Sequence, residues 1–435
     1  MDPSRSSDAS PLNPVQEGER IISMDVLRGV ALLGIFVMNI PYFAFSFYSY
    51  FKPGLAGDFE GANYYTWLVS HILFEEKMMS IFSMLFGAGI VLFSSRIEQR
   101  RGRRSVPGIH YRRMFWLLVI GILHAYLIWY GDILVAYALV GMMVYPLRRL
   151  RPVYLLILAA LLLPITSILG IAQQLIYEGL RTQAESGTDE IAKDIWDELK
   201  LQFYPNSELL ADERDANLGP YAERVRYWAP IVLSMQSLAF LFWTVWRVAS
   251  MMLLGMALFK LGVFSGARSP RFYGVLVGVG LATGLPLILI GESLMASTDY
   301  DPLKRFGMHG AFNHFGSVAM ALAWIGVVML FCRSGGIKWL QHALACVGRM
   351  AFTNYLTQSL IGMFLFYGSG LGAYGKVERW ELIYIILGVW AFQLVVSPLW
   401  LGKFRYGPME WAWRCLTYWR LEPILRVNPE AGTDR

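Results

Sequence analysis

Apolar runs of membrane-crossing length recur along the whole chain, separated by short polar connections. A helix needs about 20 apolar residues to cross a bilayer. Stretches free of Asp, Glu, Lys and Arg approach that length at Gly29–Phe51, Met78–Ser95, Met114–Gly131, Val153–Tyr177, Phe272–Gly291, Phe306–Cys332, Met350–Gly375 and Leu382–Gly402. Ile133–Leu147 is shorter but starts directly after the turn signal Gly131-Asp132, so it reads as a return span. The run from Trp228 to Gly262 is interrupted by Arg247 and reads as one span near Trp243–Gly262 behind an interfacial lead-in helix. The pattern predicts an all-α, polytopic membrane helix bundle of about ten transmembrane helices over residues 21–402.

Composition agrees: 56% of the 435 residues are hydrophobic and 16% charged, whereas soluble domains carry about 25% charged residues. The net charge of +6 carries no nucleic-acid signal, because the basic residues sit beside apolar spans. Lys and Arg in short connections mark the cytoplasmic side. Seven arginines against one glutamate fill Arg96–Arg113, and more follow at Arg148–Arg151, Arg268/Arg271, Arg333/Lys338 and in the C-terminal segment. Their alternation puts both termini in the cytoplasm. Residues 1–20 lack the order of a cleavable signal and read as a disordered cytoplasmic tail. Residues 403–435 mix Trp with Arg and read as a cytoplasmic interfacial helix and tail. The opposite side carries the loop 178–227, with twelve acidic and six basic residues, in which Ile191, Ile195 and Leu199 form an amphipathic stripe. Three cysteines near the cytoplasmic ends imply no disulfide framework.

Charges within spans cost about 2.5–3.5 kcal/mol at the bilayer centre and usually face a partner or a cavity. In the first span Asp25 and Arg28 are three apart and can pair on one face. Asn39 lies about 16 Å further along the same face, which gives either a helix-bonding stripe or a ligand groove. His71 and Glu75 are four apart and can meet, while Lys77 reads as a snorkelling residue at the outer boundary. In "HAYLIWYGDILVAYALVG" (His124–Gly141), Asp132 is placed to cap the following helix, and His124 sits about 10 Å below the end of its own. Both have ordinary structural readings. Yet His71, His124, Asp132 and His314 all map to the outer half of the membrane, and a histidine beside a carboxylate is the usual unit of proton transfer near neutrality. Asn354 and Gln358, four apart, can form a polar ridge toward the bundle interior. No tight Cys/His spacing points to a metal, and no phosphate-binding glycine loop or serine elbow occurs.

The stretches "LRGVALLGIFVMNI", "SMLFGAGI", "HAYLIWYGDILVAYALVG", "GRMAFTNYLTQSL" and "FRYGPMEWAWRCLTY" together resemble the bacterial YeiB-like membrane proteins, domain-of-unknown-function family 418, from about Ile21 to Trp419. The resemblance implies the bacterial inner membrane, with lipids as surroundings. More distantly the chain is similar to the transmembrane acyltransferases, which take an acyl group from cytoplasmic acyl-CoA and pass it to an acceptor on the far side. The O-acyltransferase branch carries Arg in the first span with His eleven residues on. Arg28 fits, whereas Asn39 stands at the histidine position and cannot titrate. The glucosaminide branch has Asn there and a histidine in the first outer loop, for which His71 is the local candidate. That resemblance implies acyl-CoA as co-substrate, held by Arg28, Asn39 and Asn354, with His124, Asp132 and His71 as catalytic groups and a small-molecule, glycan or lipid acceptor. The alternative expectation is a transporter of a small metabolite, against which the lack of an internal repeat counts.

Overall fold

The protein, seen in a computed structural model, is described over residues 21–187 and 189–426. The expected tail 1–20 and the last nine residues lie outside that range. The backbone is helical throughout, and among the described residues β pairing is confined to one isolated bridge, Phe404 with Leu425.

The first helix, α1 (Ile22–Asn39), starts seven residues earlier than the uncharged run because Asp25 and Arg28 neutralise each other inside it. It continues as a short turn, α2 (Pro41–Ala44), and the expected span, Gly29–Phe51, ends in a 3-10 turn at Phe47–Tyr50, with a second such turn beyond it at Pro53–Ala56. Next come α3 (Gly61–Leu73) and α4 (Lys77–Arg101), broken at Glu75 and Glu76; then α5 (Val106–Leu127), α6 (Leu134–Val144) and α7 (Pro152–Ser186). The expected loop 178–227 is itself helical. α7 runs into it, α8 (Glu190–Leu199) and α9 (Ser207–Leu218) fill it, and α10 (Tyr221–Gln236) leads through a π turn at Phe240–Thr244 into α11 (Val245–Lys260). α10 and α11 together make one stretch, Tyr221–Lys260, long and apolar enough to cross a membrane. α12 (Pro270–Ala296), α13 (Pro302–Phe306), α14 (Met308–Arg333), α15 (Lys338–Arg349), α16 (Ala351–Phe366), α17 (Leu382–Lys403) and α18 (Pro408–Tyr418) complete the chain.

Among the described residues seven helical stretches are long and apolar enough to cross a membrane. This is an integral, multi-pass membrane protein. Of the other expected spans, α5 carries Arg112 and Arg113, while α6 and α16 are short. Close helix crossings replace hydrophobic force where lipid competes equally for apolar side chains. α1 lies against α15 where Gly29 meets the Leu344 carbonyl and Gly348 meets that of Asp25, and a Cβ on either glycine would collide with the facing backbone. Gly87 of the "FGAG" stretch and Gly255 bring α4 and α11 together in the same way. In α8 the expected apolar stripe is turned out: Ile191 is 72% exposed, and Ala192 and Trp196 are buried in its place.

Candidate functional site

Two cavities lie at opposite ends of α1. At the first, arginines from five helices converge. Arg28 (α1), Arg96 and Arg100 (α4), Arg113 (α5), Arg349 (α15) and Arg414 (α18) line a cavity of about 310 Å³, against two carboxylates, Asp25 and Glu410. Both carboxylates are already engaged. Asp25 accepts from Arg28 at 2.8 Å. Glu410 closes the start of α16, accepting from the Phe352 and Thr353 amides at 2.7 and 3.2 Å and from the Thr353 hydroxyl. Arg113, Arg349 and Arg414 have no carboxylate within ion-pair distance among the described residues. Arg113 is held between the rings of Phe93 and Trp413, at 4.4 and 4.3 Å, and Arg414 lies over Tyr406. The Arg349 Nε is buried with no hydrogen-bond partner. Gathered cations that like charges disfavour, with a donor left open, make a site suited to a polyanion. Gly89 also lines this cavity, with no atom within 4 Å of where a Cβ would stand.

The second cavity, about 30 Å³, is lined by Tyr42, Tyr50, His71, Glu75, Arg305 and Arg379 among others. His71 Nδ1 lies 2.6 Å from Glu75 Oε2, as the four-residue spacing predicts, and Arg305 donates to Glu75 Oε1 at 2.9 Å. Trp67 stacks on the imidazole with centroids 5.1 Å apart. The bond to Glu75 directs the Nδ1 proton to the carboxylate and leaves Nε2 as the basic nitrogen.

Behind this pocket a band of charge crosses the bundle. Glu76 sits in the left-handed region (φ 61°), a strained setting for a residue with a Cβ. Its carboxylate accepts from Ser317 at 3.0 Å and lies 3.5 Å from Arg247, which also donates to the His314 carbonyl, Ser80 and Ser317. Lys77 corrects the sequence reading. It is fully buried and donates to the His71 carbonyl and to Asn313, both at 2.7 Å. The break at Glu76 turns it inward, where snorkelling is impossible.

His124 and Asp132 are brought together, but not with Arg28 or His71. His124 Nδ1 is 2.8 Å from Asp132 Oδ1 and its Nε2 is 2.9 Å from Ser359 Oγ; Asp132 Oδ2 also accepts from the Val135 amide at 2.8 Å. Asp132 thus caps α6 and orients His124, which in turn holds Ser359 of α16. All three are buried, and none lines either cavity. Asn39 and Asn354 line neither cavity too. Asn354 donates to Ser397 at 3.0 Å and Gln358 to Gln393 at 3.0 Å, so the expected polar ridge ties α16 to α17. His314 donates from its Nε2–H to the Leu163 carbonyl, 2.9 Å away. Sequence reasoning missed Ser359, Arg349, Arg414, Arg305 and Arg379. Arg113 was visible only as part of a basic connection.

The family described as "Protein of unknown function (DUF418)" matches residues 258–420. Over nearly its full length the chain is similar to "Uncharacterized protein YeiB" of Escherichia coli (strain K12), 32% identical over 406 residues, 92% of this chain and 96% of that protein. It is likewise similar to "Uncharacterized protein YxaH" of Bacillus subtilis (strain 168), 30% identical over 433 residues, 96% and 99% of the two chains. No solved structure matches.

Proposed function

The chain belongs to the YeiB-like DUF418 family, and from that premise we propose that it transfers an acyl group across the bacterial inner membrane, from cytoplasmic acyl-CoA to an acceptor on the far side. The observation that carries this reading is the arginine cavity. Its cations from α1, α4, α5, α15 and α18 exceed the carboxylates present, and both of those carboxylates are already bonded. Such a site fits the phosphates of a CoA, with Arg113, Arg349 and Arg414 as the principal partners and Arg28 held toward them by Asp25. On this reading the basic end of the bundle is cytoplasmic, as the arginine-rich connections suggest.

The thioester supplies an activated acyl group, and the chemistry asked of the protein is removal of one proton. His71 suits that role. It lines the far pocket, its Nδ1 is fixed by Glu75, and Arg305 holds that carboxylate in place. Nε2 takes the proton of an acceptor hydroxyl or amine as that atom bonds to the acyl carbon, and the CoA thiolate departs. His124, Asp132 and Ser359 act elsewhere, as a buried brace. The two cavities are separated along α1 by about 15 Å, ten residues from Arg28 to Met38. Ala31, Leu32 and Phe36 are fully buried between them, so passage of the acyl arm requires α1 and its neighbours to part. The test is incubation of the purified protein in nanodiscs with radiolabelled acetyl-CoA and a membrane extract. Release of free CoA thiol with label appearing in an extract component supports the reading; wild-type turnover in His71→Ala would overturn the assignment of the base.

A second reading, proton-coupled transport, is favoured by the charge band Glu75–Glu76–Arg247. It predicts pH-dependent flux in proteoliposomes with no acylated product.

A further inference from the structure

The far pocket carries a cation that its surroundings do not neutralise. Arg379 lines it, is 8% exposed, and makes one hydrogen bond, to the Pro53 carbonyl at 3.3 Å, while lying over the ring of Phe45. The nearest acidic side chains in sequence are committed elsewhere. Glu378 accepts from Asn63 at 2.6 Å, and Glu381 accepts from the Glu378 amide at 2.8 Å. Glu75, the carboxylate within the pocket, uses one oxygen on His71 and the other on Arg305. Among the described residues Arg379 has no carboxylate within ion-pair distance. A buried guanidinium normally has such a partner, because leaving it alone costs more than pairing it.

We infer that the pocket binds the acidic group of an anionic acceptor, a carboxylate pairing with Arg379 beside His71. The volume fits. A water-sized group needs about 10–15 Å³ of such space, so about 30 Å³ admits the two oxygens of one carboxylate, with the rest of the acceptor toward the entrance. The planar fork of Arg379 matches a carboxylate in two parallel hydrogen bonds. An acceptor anchored by its acid group would present a neighbouring hydroxyl or amine to His71 Nε2. This rests on the transferase reading for the acceptor's role but not for the binding of an anion.

The probes are lactate and its neutral counterpart lactamide, with CoA as a control for the other cavity, measured as thermal stabilisation of the full chain in nanodiscs. Lactate should stabilise the wild type and lactamide should not. Arg379→Gln should weaken lactate binding by about tenfold or more, a loss of one charge-assisted contact, and leave stabilisation by CoA unchanged. Arg379→Lys should retain part of the preference for the anion. Ser70→Leu, which narrows the pocket from another wall, should also abolish the lactate effect, so the test survives if Arg379→Gln fails to fold. Equal stabilisation by lactate and lactamide, no stabilisation by lactate, or full stabilisation in Arg379→Gln would overturn the inference. Stabilisation by lactate without any by CoA would sustain the anion site while removing the transferase reading.

Discussion

Truncating Asp132 separates a bracing role from a catalytic one in the His124 cluster. Asp132→Ala removes two hydrogen bonds at once, one from His124 at 2.8 Å and one from the Val135 amide at 2.8 Å. Bonds to a charged group contribute about 1.5–3 kcal/mol each. The imidazole and the amide left behind are buried, and breaking a buried pair from one side costs about 3–5 kcal/mol. Asp132→Asn should cost about half as much. Its single amide oxygen can serve His124 or Val135 but not both. Ser359→Ala, which removes a neutral partner at 2.9 Å, should cost about 1 kcal/mol. Since 1 kcal/mol moves the melting temperature by about 2–4 °C in chains of 150–250 residues and by less in longer ones, Asp132→Ala should melt about 5 °C below wild type in nanodiscs. The order should be Asp132→Ala, then Asp132→Asn, then Ser359→Ala. In the Asp132→Ala/His124→Ala double variant the losses should fall short of additive by about 1–3 kcal/mol, because both remove the same contact. Native melting temperatures combined with lost turnover would refute the bracing role and return His124 to the catalytic machinery.

Filling the basic cavity gives a complementary result: Gly89→Leu should reduce CoA affinity at least about tenfold at unchanged melting temperature, since nothing stands within 4 Å of the added Cβ. Gly348→Ala should instead destabilise the fold, because its Cβ would meet the Asp25 carbonyl at the α1–α15 crossing; native stability in thermal unfolding would contradict the packing account. Glu213, buried in α9, accepts from Ser46 at 2.5 Å, the Phe47 amide at 2.7 Å and Tyr374 at 2.9 Å, and burial pushes its carboxyl above the usual range against these donors. A raised folded value means that the folded state holds the proton longer, so stability falls as pH rises upward from about 4.3, the ordinary glutamate value. Glu213→Gln should flatten that part of a melting-temperature profile, and an unchanged slope would remove Glu213 as its source.

Much of this arrangement is readable where the contact is local. Asp25–Arg28 is a helix-face spacing, and His71–Glu75 meets at its four-residue separation across the end of α3; both pairs form. The His124–Asp132 pair is signalled by a polar residue on each side of a turn within one apolar stretch. What the sequence conceals is long-range. Ser359 lies 235 residues from His124, and Arg379 is 326 from the carbonyl it donates to, so no periodicity links them. Lys77 misleads for a different reason. Hydropathy places it at a boundary, but the left-handed Glu76 redirects the helix start and buries it. The basic connections carry an orientation signal, and nothing in their spacing tells that Arg113 and Arg414 turn inward to share a cavity with Arg28.

The proposed placement of a CoA, with its diphosphate and 3′-phosphate, among these arginines is checked by calorimetry of CoA binding to the protein in nanodiscs. Wild type should bind CoA in a salt-dependent manner, and Arg349→Ala/Arg414→Ala should weaken binding by about a hundredfold, two charged contacts at about 1.4 kcal/mol or more each. Absence of CoA binding, or equal affinity in the double variant, would contradict it.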